Sequence, residues 1–125
     1  MIEASKITGF KDLIVWQRSM ALVVQIYQCT QKFPREEIYG LTSQIRRAAV
    51  SIPSNIAEGY ARCSDPAFAH YLDIALGSAA ELETQLTIAR EIAYIQSSDY
   101  DPLISELSEI VRMIYGLRSK LKRNR

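Results

Sequence analysis

The sequence predicts an all-α protein, an antiparallel up-down-up-down four-helix bundle with the second helix kinked at Pro53. Apolar residues recur at intervals of three and four along four segments, short breaks separate the segments, and no segment shows the alternation of a strand. The 125 residues are 48% apolar, with only 5 glycines and 4 prolines, which favours one domain with a real core. We expect a single domain over residues 1–125, with a loose N-terminal arm at 1–9 and a basic C-terminal tail at 118–125.

The first helix is predicted from about Asp12 to Gln31, and it carries two apolar rows. The row with regular three-four spacing is Leu13, Trp16, Met20, Val23, Tyr27 and Thr30. A second row includes Val15, Leu22 and Ile26, although one row is enough to close a small bundle. Two interpretations stay open for this second row: a wide core-facing stripe, or the interface of a homo-oligomer.

The second helix is predicted from Leu41 to Ala61 and contains a proline near its middle. A helix-interior proline removes a backbone hydrogen bond and costs roughly 3 kcal/mol. Polar side chains surround it, and they share its stretch of the helix: Ser51, Ser54, Asn55 and Glu58. We interpret the group as a kink whose hydroxyl and amide groups bond locally, in preference to a ligand, subunit or nucleic-acid contact.

The third and fourth helices follow two capping breaks. The third begins near Pro66, covers about 28 residues and ends near Ala93, and its Gly77 indicates close approach by another helix. The segment "QSSDYDP" is interpreted as the second break, so the fourth helix is expected from about Leu103. Between helices, Arg46 or Arg47 on the second is expected to pair with Glu81 on the third.

Three blocks of this sequence resemble a known family. They are "FKDLIVWQRSM", "FPREEIYGLTSQIRRAAVSIPSNIAEG" and "YLDIALGSAAELETQL", in this order over about residues 10–96. They are similar to the four-helix-bundle family of 23S ribosomal RNA intervening-sequence proteins. That resemblance implies a small all-α protein assembled as a homopentamer. The accessory protein of diversity-generating retroelements resembles the same fold and binds nucleic acid and a reverse transcriptase. The resemblance supplies no catalytic residues.

No sequence motif indicates catalysis, a cofactor or a metal. His70 is the one histidine, so Cys63 and Asp73 nearby are weak grounds for a metal site or a catalytic dyad. No nucleophile elbow, P-loop or dinucleotide-binding glycine pattern occurs. We therefore expect a protein that is not an enzyme and has no cofactor, with an enzyme at an intersubunit cleft as the weakest alternative.

The C-terminal segment "RSKLKRNR" is the strongest functional feature. It contains five of the 15 basic residues and none of the 14 acidic ones, which leaves a net charge of −4 elsewhere. We expect these five side chains to bind RNA or DNA phosphates without sequence preference: Arg118, Lys120, Lys122, Arg123 and Arg125. The alternative is a scaffold for an acidic protein or a polymerase.

The sequence also bears on location. Two cysteines without metal spacing, Cys29 and Cys63, are typical of a reduced cytosolic protein. Residues 1–10 contain no apolar run of a signal peptide, and no segment approaches the roughly 18 apolar residues of a membrane span. We therefore expect a cytoplasmic protein with no membrane partner.

Overall fold

The computed structural model describes residues 6–122. A short 3-10 turn, Phe10–Asp12, precedes α1, Ile14–Thr30, and a second 3-10 turn, Arg35–Glu37, precedes α2, Leu41–Ala61. The chain then forms α3, Asp65–Glu91, and α4, Ser97–Ser119. The described part of the chain contains no strand, so the predicted all-α class and the four helices are confirmed. Met1–Ser5 of the predicted loose arm lie outside the described residues.

Each helix packs against two others, in the cyclic order α1, α2, α3, α4 and back to α1. Within residues 6–122 the diagonal pairs, α1 with α3 and α2 with α4, make no close backbone approach. Ile14 at the start of α1 shares a groove with Leu117 near the end of α4, whereas Cys29 shares one with Asp99. These contacts direct α1 and α4 oppositely, as short connections between helices favour.

Of the two interpretations left open for the second apolar row of α1, the structure selects the core-facing stripe. Val15, Leu22 and Ile26 are 4%, 1% and 0% exposed, so they belong to the core of the chain itself and cannot form a subunit interface. In the other row, Met20 and Tyr27 are 42% and 40% exposed. The interface prediction is therefore wrong for the row that contains Leu22, and the unpartnered apolar surface lies on the opposite row.

Two buried polar residues lie on the same face as Leu22: Ser19, and Thr30, which the sequence prediction placed in the other row. Their hydroxyls donate to carbonyls of their own helix, Val15 O at 2.7 Å and Ile26 O at 2.8 Å. Because their hydrogen bonds are satisfied within α1, burial leaves no unpaired donor there. A helix face that contains polar residues can therefore be buried in the core.

Pro53 lies inside α2 and is buried, as the sequence predicts. Asn55 donates through Nδ2 to the carbonyl of Ser51 at 2.7 Å and to its hydroxyl at 2.9 Å. This local bonding agrees with the packing interpretation for these two residues, while a bend at Pro53 stays a prediction. Glu58 takes no part in it, since its carboxylate accepts from Arg62 at 2.8 Å.

The end of α3 and the start of α4 differ from the prediction. The third helix ends at Glu91, and Ala93, with φ of 65°, lies in the left-handed region just beyond it. The fourth helix begins at Ser97, so the segment interpreted as a break is mostly its first turns, with Pro102 inside the helix. The hydroxyls of Thr87 and Tyr100 lie 2.9 Å apart and join the two helices here.

Two glycines have opposite surroundings. A Cβ at Gly59 would lie 2.6 Å from Tyr71 Cβ and 3.1 Å from Phe68 Cδ1, so α2 and α3 approach most closely there. A Cβ at Gly77 would meet nothing within 4 Å, so the expectation of a close approach at that residue is wrong. The close approach that the helices need is provided by the glycine of the "IAEG" segment.

Candidate functional site

The basic residues of the tail begin inside α4. Arg118 lies in the last turn of that helix, and its guanidinium forms a two-bond ion pair with the carboxylate of Asp73 on α3, with Nη2 and Oδ2 2.8 Å apart. The hydrogen bond with Asp73 raises the pKa of Arg118 above its ordinary value. Arg118 is therefore already engaged with a carboxylate, and the prediction that it is a free phosphate ligand needs this correction.

Lys120 and Lys122 continue from the helix into solvent. Lys120 lines the groove between the start of α1 and the end of α4, and its side chain is exposed. The backbone N–H of Lys122 donates to Asp65 Oδ2 at 2.8 Å, which fixes the chain against the start of α3 and leaves the ammonium group exposed. Arg123 and Arg125 lie outside the described residues.

One end of the bundle contains the start of α1, the turn between α2 and α3, and the last turn of α4. We call it the basic end. Lys11, Lys120 and Lys122 are exposed there and form no ion pair with any residue in 6–122. Lys11 was not singled out from the sequence, because its place at the same end of the bundle as the tail depends on how the helices pack.

The acidic residues of the basic end are already engaged. Asp12 accepts from the backbone N–H and the hydroxyl of Thr8, both at 2.8 Å, and the backbone bond is the main reason its pKa is lowered. Glu58 pairs with Arg62, whose guanidinium also donates to the Tyr71 hydroxyl at 2.9 Å. The three lysines thus dominate the accessible charge at this end.

An apolar groove of about 350 Å³ runs between α1 and α2, on the row that the sequence assigned to the core. It is lined by Trp16, Met20, Val23, Val50, Pro53, Ser54 and Ala57. Val24, 54% exposed, lies beside it on α1. Ser54 therefore belongs to this groove, which corrects its predicted place in a locally bonded kink. The groove has the apolar character of a protein-binding surface.

The predicted pairing of arginine with Glu81 does not form in this structure. Arg46 turns towards α1, where it donates to Thr30 Oγ1 at 2.8 Å and lies 4.4 Å from the centre of the Tyr27 ring. Arg47 and Glu81 line one polar groove between α2 and α3, yet no ion pair within 4.0 Å joins them among the described residues. The two adjacent arginines thus have different surroundings.

His70, Cys63 and Asp73 do not assemble into a reaction centre. His70 is exposed and its ring packs edge-on against Tyr71, with the ring centres 5.2 Å apart. Asp73 is held by Arg118. Within residues 6–122, no group of three or more His, Cys, Asp and Glu side chains could hold a metal ion. None of the helices in that range combines the length and apolar content that a membrane span requires.

Fold and surface together define a class: a small all-α bundle protein with a basic end and an exposed apolar groove between α1 and α2. The sequence model of the 23S rRNA-intervening sequence protein family matches residues 11–116. The chain therefore belongs to that family, and the resemblance drawn from the three sequence blocks is confirmed.

A solved structure has the same fold. It is the crystal structure of a protein with unknown function from the S23 ribosomal protein family of Bacteroides thetaiotaomicron VPI-5482. The two chains are 26% identical with a TM-score of 0.79, and the match covers 86% of this chain and 96% of that one. No curated protein matches this chain significantly. Neither the family match nor the solved structure indicates a catalytic family.

Proposed function

We propose that this protein is a non-enzymatic homo-oligomer that binds RNA or DNA through phosphate contacts at its basic end. The observation that carries the proposal is that Lys11, Lys120 and Lys122, all at the basic end, are exposed and form no ion pair among residues 6–122. Arg123 and Arg125 follow directly in the sequence and add to this charge. Phosphate contacts carry no sequence information, so the binding we propose is tolerant of sequence.

Assembly strengthens this function because it multiplies weak contacts. Each subunit adds one basic end, and contacts on one nucleic-acid strand then act at high effective concentration. The homopentamer implied by the family resemblance is the assembly we propose, and the apolar groove between α1 and α2 is the surface we assign to it. The two free cysteines fit a reducing compartment, so we place the activity in the cytoplasm.

The test compares two variants with equal loss of charge. Lys120→Gln with Lys122→Gln removes charge from the basic end and keeps the Arg118–Asp73 ion pair and Leu121. Lys32→Gln with Arg35→Gln removes the same charge at the opposite end. Filter binding of two unrelated single-stranded RNAs between ~50 and ~200 mM salt gives the slope of log K against log salt.

We expect the basic-end variant to bind both RNAs more weakly and to lose roughly 1.4 from that slope if both lysines contact phosphates. The variant at the opposite end should bind as the parent does. Equal affinity of the two variants, or no RNA binding by the parent protein, would contradict the proposal. The second result would favour the alternative scaffold, in which the apolar groove binds a partner protein.

A further inference from the structure

A second, polar groove lies between α2 and α3, away from the basic end. It has a volume of about 490 Å³, within the range of small-molecule sites, and is lined by Gln44, Arg47, Ala48, Ser51, Ser78 and Glu81. Its residues come from the two sequence blocks "QIRRAAVSIPSN" and "GSAAELETQ". The proposed nucleic-acid contact uses neither block.

The α2 side of the groove offers hydrogen-bond donors. Arg47 is exposed and has no ion-pair or hydrogen-bond partner among residues 6–122. The hydroxyls of Ser51 and Ser78 lie 2.7 Å apart, and Asn55 Nδ2 also donates to Ser51 Oγ. One hydroxyl proton is used between the two serines, so the other has no acceptor in the described part of the chain.

The α3 side offers acceptors. Glu81 is exposed, and its one hydrogen bond within residues 6–122 is a long one, accepted from Gln85 Nε2 at 3.5 Å.

We propose that this groove binds a small zwitterion of the amino-acid or dipeptide class. The carboxylate of the ligand would be received by Arg47 and the free serine hydroxyl, and its ammonium group by Glu81. Arg47 and Glu81 line the same groove without neutralising each other, so each retains capacity for an opposite charge. A ligand with only one of the two charges would leave the other side chain unpaired.

The neighbouring Arg46 supports a binding role for Arg47. Arg46 is tied to Thr30 and stacks on Tyr27, so it serves the packing of α1 against α2. Arg47 has no such contact, so a structural role explains Arg46 but does not explain Arg47.

The experiment is calorimetric titration of the full chain with three matched probes. Glycylglycine carries both charges, N-acetylglycylglycine keeps only the carboxylate, and glycylglycine amide keeps only the ammonium. We expect glycylglycine to bind with a Kd in the millimolar range or tighter, and each single-charge probe to bind roughly tenfold more weakly or worse.

Variants then locate the binding. Arg47→Gln and Glu81→Gln should each weaken glycylglycine binding at least about tenfold, while Arg112→Gln, on the exposed surface of α4, should not change it. The proposal is overturned if no heat of binding appears up to about 10 mM probe. It is equally overturned if all three variants bind like the parent. A change in oligomeric mass in Arg47→Gln would instead make the groove a subunit contact.

Discussion

At the scale of single residues, Gly59 of α2 and Gly77 of α3 show that residue type alone does not predict how closely two helices approach. The sequence prediction assigned a close helix approach to Gly77, yet of these two glycines only Gly59 lies against another helix. Its missing side chain leaves room for the Cβ of Tyr71, an atom close to the backbone that cannot swing away. At Gly77 the same absence has no packing benefit and retains only its entropic cost.

We therefore predict opposite effects of the same substitution. Gly59→Ala should lower the free energy of unfolding by about 1–3 kcal/mol, because the added methyl overpacks the contact with α3. Gly77→Ala should raise it by about 0.5–1 kcal/mol, since alanine is the better helix former in open space. Urea unfolding followed by circular dichroism measures both. Similar changes in the two variants would contradict the difference in packing.

The hydrogen-bond and ion-pair partners of individual side chains could not be predicted from the sequence. Arg118 pairs with Asp73, 45 residues away, and Arg46 binds Thr30, 16 residues away. The sequence identifies both arginines as noteworthy, but their partners depend on which helix faces each one. The basic tail was therefore predicted as a charge cluster, whereas the engagement of its first member was not.

At the scale of helices, apolar periodicity predicted where a helix occurs better than it predicted which face of the helix is buried. The bounds of α2 agree with the prediction from Leu41 to Ala61, because a turn at Gly40 and a break at the "CSDP" segment delimit a clear stripe. In α1 two rows fit helical spacing, and the sequence left open whether the second row faces the core or another subunit. Aliphatic residues such as Leu22 and Ile26 are more often fully buried than Trp16 or Tyr27, and this preference was the available signal.

The start of α4 was placed too late for a different reason. Pro102 and four small polar or acidic residues were interpreted as a break, but Pro102 is the sixth residue of α4 and only removes the hydrogen bond to the carbonyl of Ser98 without ending the helix. Tyr100 then anchors these turns through its bond to Thr87 and its stacking under Arg90, 4.3 Å from the ring centre. Tertiary contact overrides the local signal.

The ion pair between α1 and α4 predicts a pH dependence. Arg18 donates to both carboxylate oxygens of Glu106, at 2.9 and 2.6 Å, and these hydrogen bonds lower the pKa of Glu106 from its usual 4.5. A lowered pKa in the folded state means that the carboxylate stabilises the fold above pH 4.5 and that this contribution is lost as pH falls through the folded-state pKa.

Glu106→Gln should accordingly lower the melting temperature at pH 7 and have progressively less effect as the pH falls below 4.5. Thermal melts of parent and variant from pH 7 down to the acid limit of folding measure this difference. Glu83→Gln, an exposed carboxylate on α3 without an ion pair in the described chain, is the control. A difference that stays constant over the whole range would contradict the assignment.

At the scale of the whole molecule, the bundle separates charge by end and apolar surface by face. The end opposite the basic end contains Glu36, Glu37, Glu91, Asp99 and Asp101 against three cations. Exposed apolar side chains include the row around Met20 on α1 and the residues Ile74, Ile88 and Ile92 on α3. Two different apolar faces suit head-to-tail contacts between copies, and such contacts close into rings when the rotation permits.

This arrangement leads to a prediction about assembly that reverses the one drawn from the sequence. Met20→Glu on α1 and Val50→Glu on α2 place a charge at exposed positions of the apolar groove, so each should lower the oligomeric mass while the helices stay folded. Leu22→Glu, a neighbouring position on α1 that is only 1% exposed, should unfold the chain instead, because the charge would be buried in the core.

Gln25→Glu is the control, because it adds the same charge on α1 away from the groove and should change neither the oligomeric mass nor the helix content. Light scattering after size exclusion gives the mass, and circular dichroism gives the helix content. A parent protein that is monomeric at micromolar concentration, or a full-size oligomer in both groove variants, would show that this face does not hold the subunits together.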